Sequence, residues 1–177
     1  MRIAYAGAEG AFAHEACLAF ARDLSAVAVP DFGAVLAAVE RGEAEAGMLP
    51  VRNSRAGEVE EVSRLLPAAD VEVERLCPLP VRMHLLGLAG AELSGLEAVT
   101  SHPIALRQCA RSLERLGLEG RPATNTALAA KELSEPSIGV LASEAAARAY
   151  GLKVLRHDMQ DDPDNMTVFA VVRRRSN

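Results

Sequence analysis

The chain has 177 residues, half of them apolar, which is enough to bury a core in one domain or in two small lobes. A formal net charge of −5 and the lack of a basic stripe give no electrostatic reason to expect nucleic acid as a partner. The three cysteines form no Cys-x-x-Cys pair, and the N-terminus is unlike a signal peptide. Because there is also no apolar stretch of roughly 18 residues, we expect a cytoplasmic protein without a membrane partner.

Short apolar runs alternate with helical periodicity in the first half of the chain, as in an α/β fold. The predicted strands are residues 3–6, 27–29 and 46–49, and the predicted helices follow Gly10, Asp31 and Asn53. Pro50 is expected to stop the third strand, and the Asn53-Ser54 pair is expected to cap the third helix. Pro78 and Pro80 predict an extended segment, residues 76–80, in which the chain crosses between lobes.

The same alternation continues in the second half. The predicted strands are residues 81–88, 97–100, 137–141, 152–155 and 167–172, and the predicted helices begin at Ser101-His102-Pro103, Asn125-Thr126 and Ser143. The polar loop 158–165 predicts a second crossing, and the final Arg173-Arg174-Arg175 is expected to be a solvated tail. Two crossings give a discontinuous first lobe, residues 1–76 plus 158–177, and a second lobe, residues 77–157.

Small polar residues occur at four of the predicted strand-to-helix turns. These turns are residues 7–10, Asn53-Ser54, Ser101-His102 and Asn125-Thr126. In an open α/β sheet such turns gather beyond the carboxyl ends of the strands, where ligands bind, and helix N-termini there favour carboxylates. The alternative is that each residue only caps its helix. The pattern indicates a site for a small anion.

The sequence has no motif for metal binding, nucleotide binding or a nucleophilic serine. The four histidines (His14, His84, His102 and His157) have no metal-ligand spacing, and the acidic run 161–165 does not match an EF-hand. Glycine-rich nucleotide loops and the Gly-x-Ser-x-Gly motif are also missing from the sequence. We therefore expect no metal and no cofactor, and the residues alone lead no further than anion binding.

Seven segments in order carry a family resemblance. They are residues 3–5, 7–13, 47–57, 101–109, 125–130, 145–152 and 160–169. Together they resemble the catalytic domain of prephenate dehydratase over nearly the whole chain, and the Ser101-His102-Pro103 segment is the most specific match. One such match would be weak, but seven in the right order are specific.

The resemblance implies a two-lobed fold like that of type II periplasmic binding proteins. Each lobe would be a mixed sheet flanked by helices, with the active site in the cleft between the lobes. The implied reaction converts the dicarboxylate prephenate to phenylpyruvate in phenylalanine biosynthesis, with loss of carbon dioxide and water and without a cofactor. The resemblance also implies a homodimer or homotetramer, and because the chain stops after its last strand we expect no C-terminal ACT regulatory domain.

The resemblance assigns roles to particular residues. Thr167 takes the position of the acid that protonates the departing hydroxyl, and Asn53 and Ser54 are the other implied catalytic residues. The implied substrate-binding residues are Arg52, Ser101, His102, Thr126, Ala127, Asn165 and Phe169. Because a threonine hydroxyl is a weak acid, it must act through positioning and hydrogen bonding.

The sequence departs from the family pattern at several polar positions. The first loop has Ala11 and Ala13 in place of Thr or Ser, Ile104 replaces a Gln, Asn125 replaces an acid, Arg52 replaces a Glu and Val168 replaces the Arg of a Thr-Arg-Phe motif. Side chains alternate along a strand, so Val168 is predicted to point away from Thr167. Our hypothesis is that Arg52 takes over a carboxylate contact.

Two alternative functions remain open at this point. One is decarboxylation of prephenate without loss of the hydroxyl, so that no aromatic ring forms. The other is a binding protein that keeps the anion site but has lost turnover. The true substrate of a dehydratase is also open, since arogenate and prephenate both fit the resemblance.

Overall fold

A computed structural model describes residues 1–176, which form two α/β units, each with its own sheet. The first unit comprises Met1–Ala8, Phe12–Val81 and the residues from Asp164 onward, and the second comprises Glu9–Ala11 and Arg82–Pro163. Asn177, the last residue of the predicted first lobe, lies outside the described residues. In this division the chain changes unit after residues 8, 11, 81 and 163, and the last two changes lie near the passages that the sequence predicted after 76 and 157.

Strands and helices alternate along most of the chain. The strands are β1 (Arg2–Ala6), β2 (Ser25–Val29), β3 (Ala46–Asn53), β4 (Gly57–Glu58), β5 (Val71–Pro80), β6 (His84–Gly87), β7 (Ala98–Ser101), β8 (Glu119–Pro122), β9 (Ile138–Ala142), β10 (Lys153–Arg156) and β11 (Met166–Arg174). The helices are α1 (Phe12–Phe20), α2 (Phe32–Glu40), α3 (Glu60–Leu65), α4 (Pro103–Gln108), α5 (Ala110–Leu116), α6 (Thr126–Lys131) and α7 (Glu144–Tyr150), with short 3-10 turns at Leu66–Ala68 and Leu93–Gly95.

The sheet of the first unit has the strand order β2-β1-β3-β11-β5, with β4 added beside β3. β1 runs parallel to β2 and β3, and β11 runs antiparallel to β3 and β5. Alternate residues of its central strands enter two separate cores. Tyr5 packs in the core that contains Cys17 of α1, whereas Ala4 packs in the core that contains Val35 of α2. The sheet is therefore covered on both faces.

The sheet of the second unit has the strand order β10-β6-β9-β7-β8. β7 is parallel to β8 and β9, and β6 is antiparallel to β9 and β10. Alanines of α6 and α7, among them Ala130 and Ala146, pack against Leu86 and Val140 of the sheet. Such small side chains let the helices lie close to the strands. The predicted fold class, mixed sheets flanked by helices, is confirmed in both units.

The strand end predicted at Pro50 was wrong, whereas residues 76–80 are extended as predicted but belong to a strand. β3 continues through Pro50 to Asn53, and residues 76–80 are the end of β5. Proline lacks the N–H of a ladder bond and is tolerated at sheet edges and beside bulges. Pro50 lies beyond Met48, the last β3 residue paired with β1, and beside a register shift between β3 and β11. β5 is an edge strand, which accommodates Pro78 and Pro80.

Three further differences concern helix and strand ends. Asn53 and Ser54 do not cap α3, whose N-cap residue is Val59, because β4 intervenes. The helix predicted after Ser101-His102-Pro103 is divided at Cys109 into α4 and α5. Arg173 is not part of a solvated tail, since it lies in β11 and pairs with Glu74 at 2.9 Å. Among residues 1–176, no helix is both long enough and apolar enough to cross a membrane.

Candidate functional site

A polar cluster lies where β3 and β11 of the first unit pair. Thr167 and Asn53 are directly opposite each other in this antiparallel pair, so their side chains share one face of the sheet. The Nδ2 group of Asn53 donates to the Oγ1 atom of Thr167 at 2.9 Å and to the Oδ1 atom of Asn165 at 3.1 Å. The register of the two strands therefore joins residues that are 114 positions apart in the sequence.

The Asn53 amide is fully occupied by the protein itself. Its Oδ1 atom accepts hydrogen bonds from the backbone N–H groups of Arg55 at 2.8 Å and Ala56 at 3.0 Å, which forms an Asx turn. Its Nδ2 hydrogens are shared among Thr167, Asn165 and the backbone carbonyl of Met166. Asn53 therefore holds the Thr167 hydroxyl in place and has no hydrogen left for a ligand.

Ser54 and Asn165 complete this cluster. The Ser54 hydroxyl accepts from the backbone N–H of Met166 at 2.9 Å and lies 3.5 Å from the Oδ1 atom of Asn165, to which it donates. Asn165 is only 3 % exposed. Within residues 1–176, neither the Thr167 hydroxyl hydrogen nor the Asn165 Nδ2 group has an acceptor. The cluster thus keeps two hydrogen-bond donors available for a ligand.

Two predicted substrate-binding residues of this unit lie elsewhere. Arg52 is opposite Val168, so strand alternation points its exposed side chain to the face away from Asn53 and Thr167. Phe169 shares the face of Thr167 but is only 2 % exposed and packs in the core with Tyr5. Neither side chain belongs to the polar cluster, and the contact of Arg52 with a substrate carboxylate stays a prediction.

A second polar pair joins β7 to α6 in the second unit. Ser101 is fully buried, and its hydroxyl donates to the carbonyl of Leu141 at 2.8 Å. Because that bond uses its one hydrogen, the contact of 3.2 Å to Thr126 must be donated by the Thr126 hydroxyl. The half-buried Thr126 oxygen can then accept a further hydrogen bond. Ser101 supports Thr126 rather than contacting a ligand itself.

Other predicted residues of this unit serve its helices. His102 caps α4 by accepting the Ile104 N–H at its Nδ1 atom over 3.2 Å, and Asn125 caps α6 by accepting the Leu128 N–H at 2.9 Å. Ala127 is buried on the inner side of α6. Ser101 and Thr126 are therefore the pair that the fold brings together, while His102 and Ala127 have structural positions.

A polar group that was not predicted from the sequence surrounds the buried His84 in the second unit. The Nδ1 atom of His84 accepts the backbone N–H of Asp158 at 3.1 Å, and the ring of His157 lies edge-on with a centroid distance of 5.0 Å. Burial, and then His157, hold the pKa of His84 below its ordinary value. Arg82 pairs with Asp158 at 2.9 Å and lowers the pKa of that carboxyl. The sequence pointed to this part of the chain only through the polar loop 158–165 and through His84 and His157 as candidate metal ligands.

No group of three or more His, Cys, Asp or Glu side chains in the described residues is arranged to hold a metal ion. The cysteines also differ from reactive thiols. All three are buried, and burial raises the pKa of Cys17 and of Cys109 to about 12. These thiols stay protonated near neutral pH, which makes them poor nucleophiles.

Comparison with known proteins extends these observations. The family model for prephenate dehydratase matches residues 3–177. Arogenate dehydratase 2 of Petunia hybrida is 37% identical over 177 residues, which cover 98% of this chain and 45% of that protein. The chain spans about half the length of the curated relatives it matches.

Two solved structures have the same fold. The prephenate dehydratase of Arthrobacter aurescens in complex with L-Phe aligns with a TM-score of 0.89 and 26% identity, covering 100% of this chain and 61% of that one. A quorum-quenching acylase aligns with a TM-score of 0.93 and 31% identity, covering 100% of this chain and 65% of that one. The family match along the whole chain and this agreement of the fold lead to one conclusion: the chain belongs to the prephenate dehydratase family.

Proposed function

We propose that this chain is the catalytic part of a carbon-oxygen lyase that converts prephenate, or its amino analogue arogenate, by loss of carbon dioxide and water. One observation carries the proposal. The Asn53 amide donates to the Thr167 oxygen at 2.9 Å, so the hydroxyl hydrogen of Thr167 is directed to an acceptor outside the cluster. A fixed hydroxyl with a free hydrogen is what the departing hydroxyl of such a substrate requires.

The reaction balances with the groups that the chain supplies. The C–C bond to the ring carboxylate breaks and its electron pair enters the ring, while the C–O bond breaks and the hydroxyl leaves as water. One proton is consumed, since the carboxylate departs as neutral carbon dioxide. Thr167 transfers its hydroxyl proton to the departing oxygen along their hydrogen bond and takes up a replacement proton from solvent, which is the proton consumed. Aromatisation of the ring supplies the driving force, so a weak, well-positioned acid is sufficient.

Each polar cluster, taken by itself, offers hydrogen-bonding groups that suit a polar substrate. Asn165 has a free Nδ2 donor beside Thr167, which suits a carboxylate or a carbonyl oxygen. Thr126 offers a hydroxyl that Ser101 supports, which suits a polar hydrogen of the substrate. In this proposal Thr167 is the catalytic residue, Asn53 and Ser54 position it, and Asn165 binds substrate. For Thr126 the proposal keeps the substrate-binding role that the family resemblance implies.

Removal of the Thr167 hydroxyl tests the proposal. Purified protein is incubated with prephenate, and in parallel with arogenate, and the aromatic product is followed by its ultraviolet spectrum in alkali. Thr167→Val should lower turnover by about 10²–10⁴-fold, the usual contribution of a general acid. Thr167→Ser, which keeps the hydroxyl, should retain most turnover. Thr124→Val changes an exposed threonine and is the matched control.

The product distinguishes the alternatives. A non-aromatic keto acid would identify a decarboxylase that keeps the hydroxyl. Thermal stabilisation by prephenate without turnover would identify a binding protein. Normal aromatic product from Thr167→Val would overturn the role of this hydroxyl and leave the family assignment intact.

The assembly and location follow from the same proposal. The family resemblance supports a homodimer or homotetramer in the cytoplasm, with a small-molecule dicarboxylate as the partner and no cofactor. Light scattering of the purified chain should give a mass of two or four protomers. Dialysis against EDTA should leave turnover unchanged if the reaction uses only protein groups.

A further inference from the structure

The second unit has a cavity that involves neither polar cluster. Its volume is about 260 Å³. Helix α6 covers the face of the sheet that carries Val140 but ends at Lys131, and the cavity opens beyond that end. Thr100 of β7 and Arg121 of β8 are register partners and line the cavity together. The short helix thus leaves part of the β7–β8 surface uncovered.

The cavity is lined by charged side chains of both signs and by apolar residues. Arg121, Glu132 and Glu135 line it, and within residues 1–176 none of these three side chains forms a hydrogen bond or an ion pair. The charged residues are exposed, and the buried Ala129 and Ile138 are apolar residues of the lining. A guanidinium that pairs with no carboxylate, beside carboxylates that pair with no cation, leaves both charges available to a ligand.

We propose that this cavity binds a small zwitterion with an apolar side chain, a free α-amino acid in chemical class. The ligand carboxylate pairs with Arg121, its ammonium group pairs with Glu132 or Glu135, and its side chain lies on Ala129 and Ile138. The volume is close to the lower end of the range for ligand pockets, which suits a molecule of this size. This inference is independent of the proposed lyase activity, since the two share no residue.

L-Leucine is the probe for a direct binding test with the full chain. Amide NMR spectra are recorded during titration with L-leucine, with 4-methylpentanoate, which lacks the ammonium group, and with 3-methylbutylamine, which lacks the carboxylate. We expect saturable shifts at Thr100, Ala129 and Ile138 with L-leucine, and binding at least about tenfold weaker for either analogue, because each loses one charge-assisted contact.

Two variants separate the site from nonspecific association. Arg121→Gln should weaken L-leucine binding by about tenfold or more, since it removes the charged partner of the carboxylate. Arg156→Gln, on the opposite edge of the same sheet, is the matched control and should bind as the wild type does. The proposal is overturned if L-leucine gives no saturable shift, if either analogue binds equally well, or if Arg121→Gln binds normally.

Discussion

Arg52 of β3 and Val168 of β11 lie directly opposite each other, on the sheet face away from Asn53 and Thr167. They are also two of the positions at which, by the family resemblance, the sequence departs from a pattern of Glu and Arg. A Glu and an Arg in this register would form a cross-strand ion pair. The two departures therefore change one contact of the scaffold rather than two groups of the polar cluster.

The first prediction concerns this pair. Arg52→Glu should leave KM unchanged, because the side chain points away from the cluster. Combined with Val168→Arg, it should create a cross-strand coupling of about 0.2–1 kcal/mol in the free energy of unfolding. A double-mutant cycle in urea measures the coupling, and steady-state kinetics measure KM. A several-fold rise in KM for Arg52→Glu alone would instead support the hypothesis that Arg52 contacts a carboxylate.

The second prediction separates the two functions of the Asn53 amide. Asn53→Asp keeps the oxygen that accepts the N–H groups of Arg55 and Ala56, but it replaces the donor to Thr167 with an acceptor. The Thr167 hydroxyl should then turn inward and donate to Asp, so that turnover falls by about 10²-fold or more. The free energy of unfolding should also fall by about 1–3 kcal/mol, because the Asn165 Oδ1 atom and the Met166 carbonyl lose the Asn53 donor. Asn125→Asp is the matched control, because Asn125 uses only its oxygen as a cap. Equal activity losses in both variants would contradict this account.

The third prediction concerns Gly10. Its φ is +86°, and a β-carbon there would lie 2.7 Å from the Cα of Ala146. The Gly10 carbonyl also accepts from the Ser143 hydroxyl at 2.6 Å, which fixes its distance from α7. Gly10→Ala should lower the free energy of unfolding by about 1–3 kcal/mol, owing to backbone strain and the close contact. Gly90→Ala, where nothing lies within 4 Å, should change it little. Comparable unfolding midpoints in urea would refute the prediction.

Local signals in the sequence predicted much of the fold. Helices α2 and α7 begin where the sequence predicted, and Asp31 and Ser143 cap them by accepting the Ala34 and Ala146 N–H groups. Gly42 follows the end of α2 with a positive φ of 71°. These features depend on a few neighbouring residues, so the sequence contains the information for them.

The errors concern features that neighbouring residues cannot determine. Asn53 accepts backbone N–H groups in an Asx turn and would do so equally in a helix cap, so its chemistry alone does not choose between them. Pro78 breaks a central strand but is tolerated on an edge strand, and only the strand order makes β5 an edge. The bond from Asn53 to Thr167 depends on strand register. The family resemblance named both residues, but no local pattern pairs them.

The last prediction uses the buried His84, which is only 5 % exposed. Burial, and then the neighbouring His157, hold the pKa of His84 below its ordinary value of 6.5 in the folded protein, whereas Asp158 and Glu144 oppose this shift and Arg82 adds to it. Between the two pKa values the unfolded chain binds more protons than the folded one. The free energy of unfolding should therefore decrease as the pH falls below about 6.5.

His84→Asn should flatten that dependence. Its side-chain oxygen can still accept the Asp158 N–H, as the Nδ1 atom does at 3.1 Å, but it does not titrate. Asp158 also contributes to the pH dependence of the free energy of unfolding, but in a different pH range. The hydrogen bond from Arg82 lowers the pKa of Asp158 below its ordinary value of 3.8, so the stability that this carboxylate contributes is lost only in stronger acid. Urea unfolding measured at intervals between about pH 5 and pH 7 covers the His84 window alone. An unchanged slope in His84→Asn would mean that the proton uptake belongs to another group.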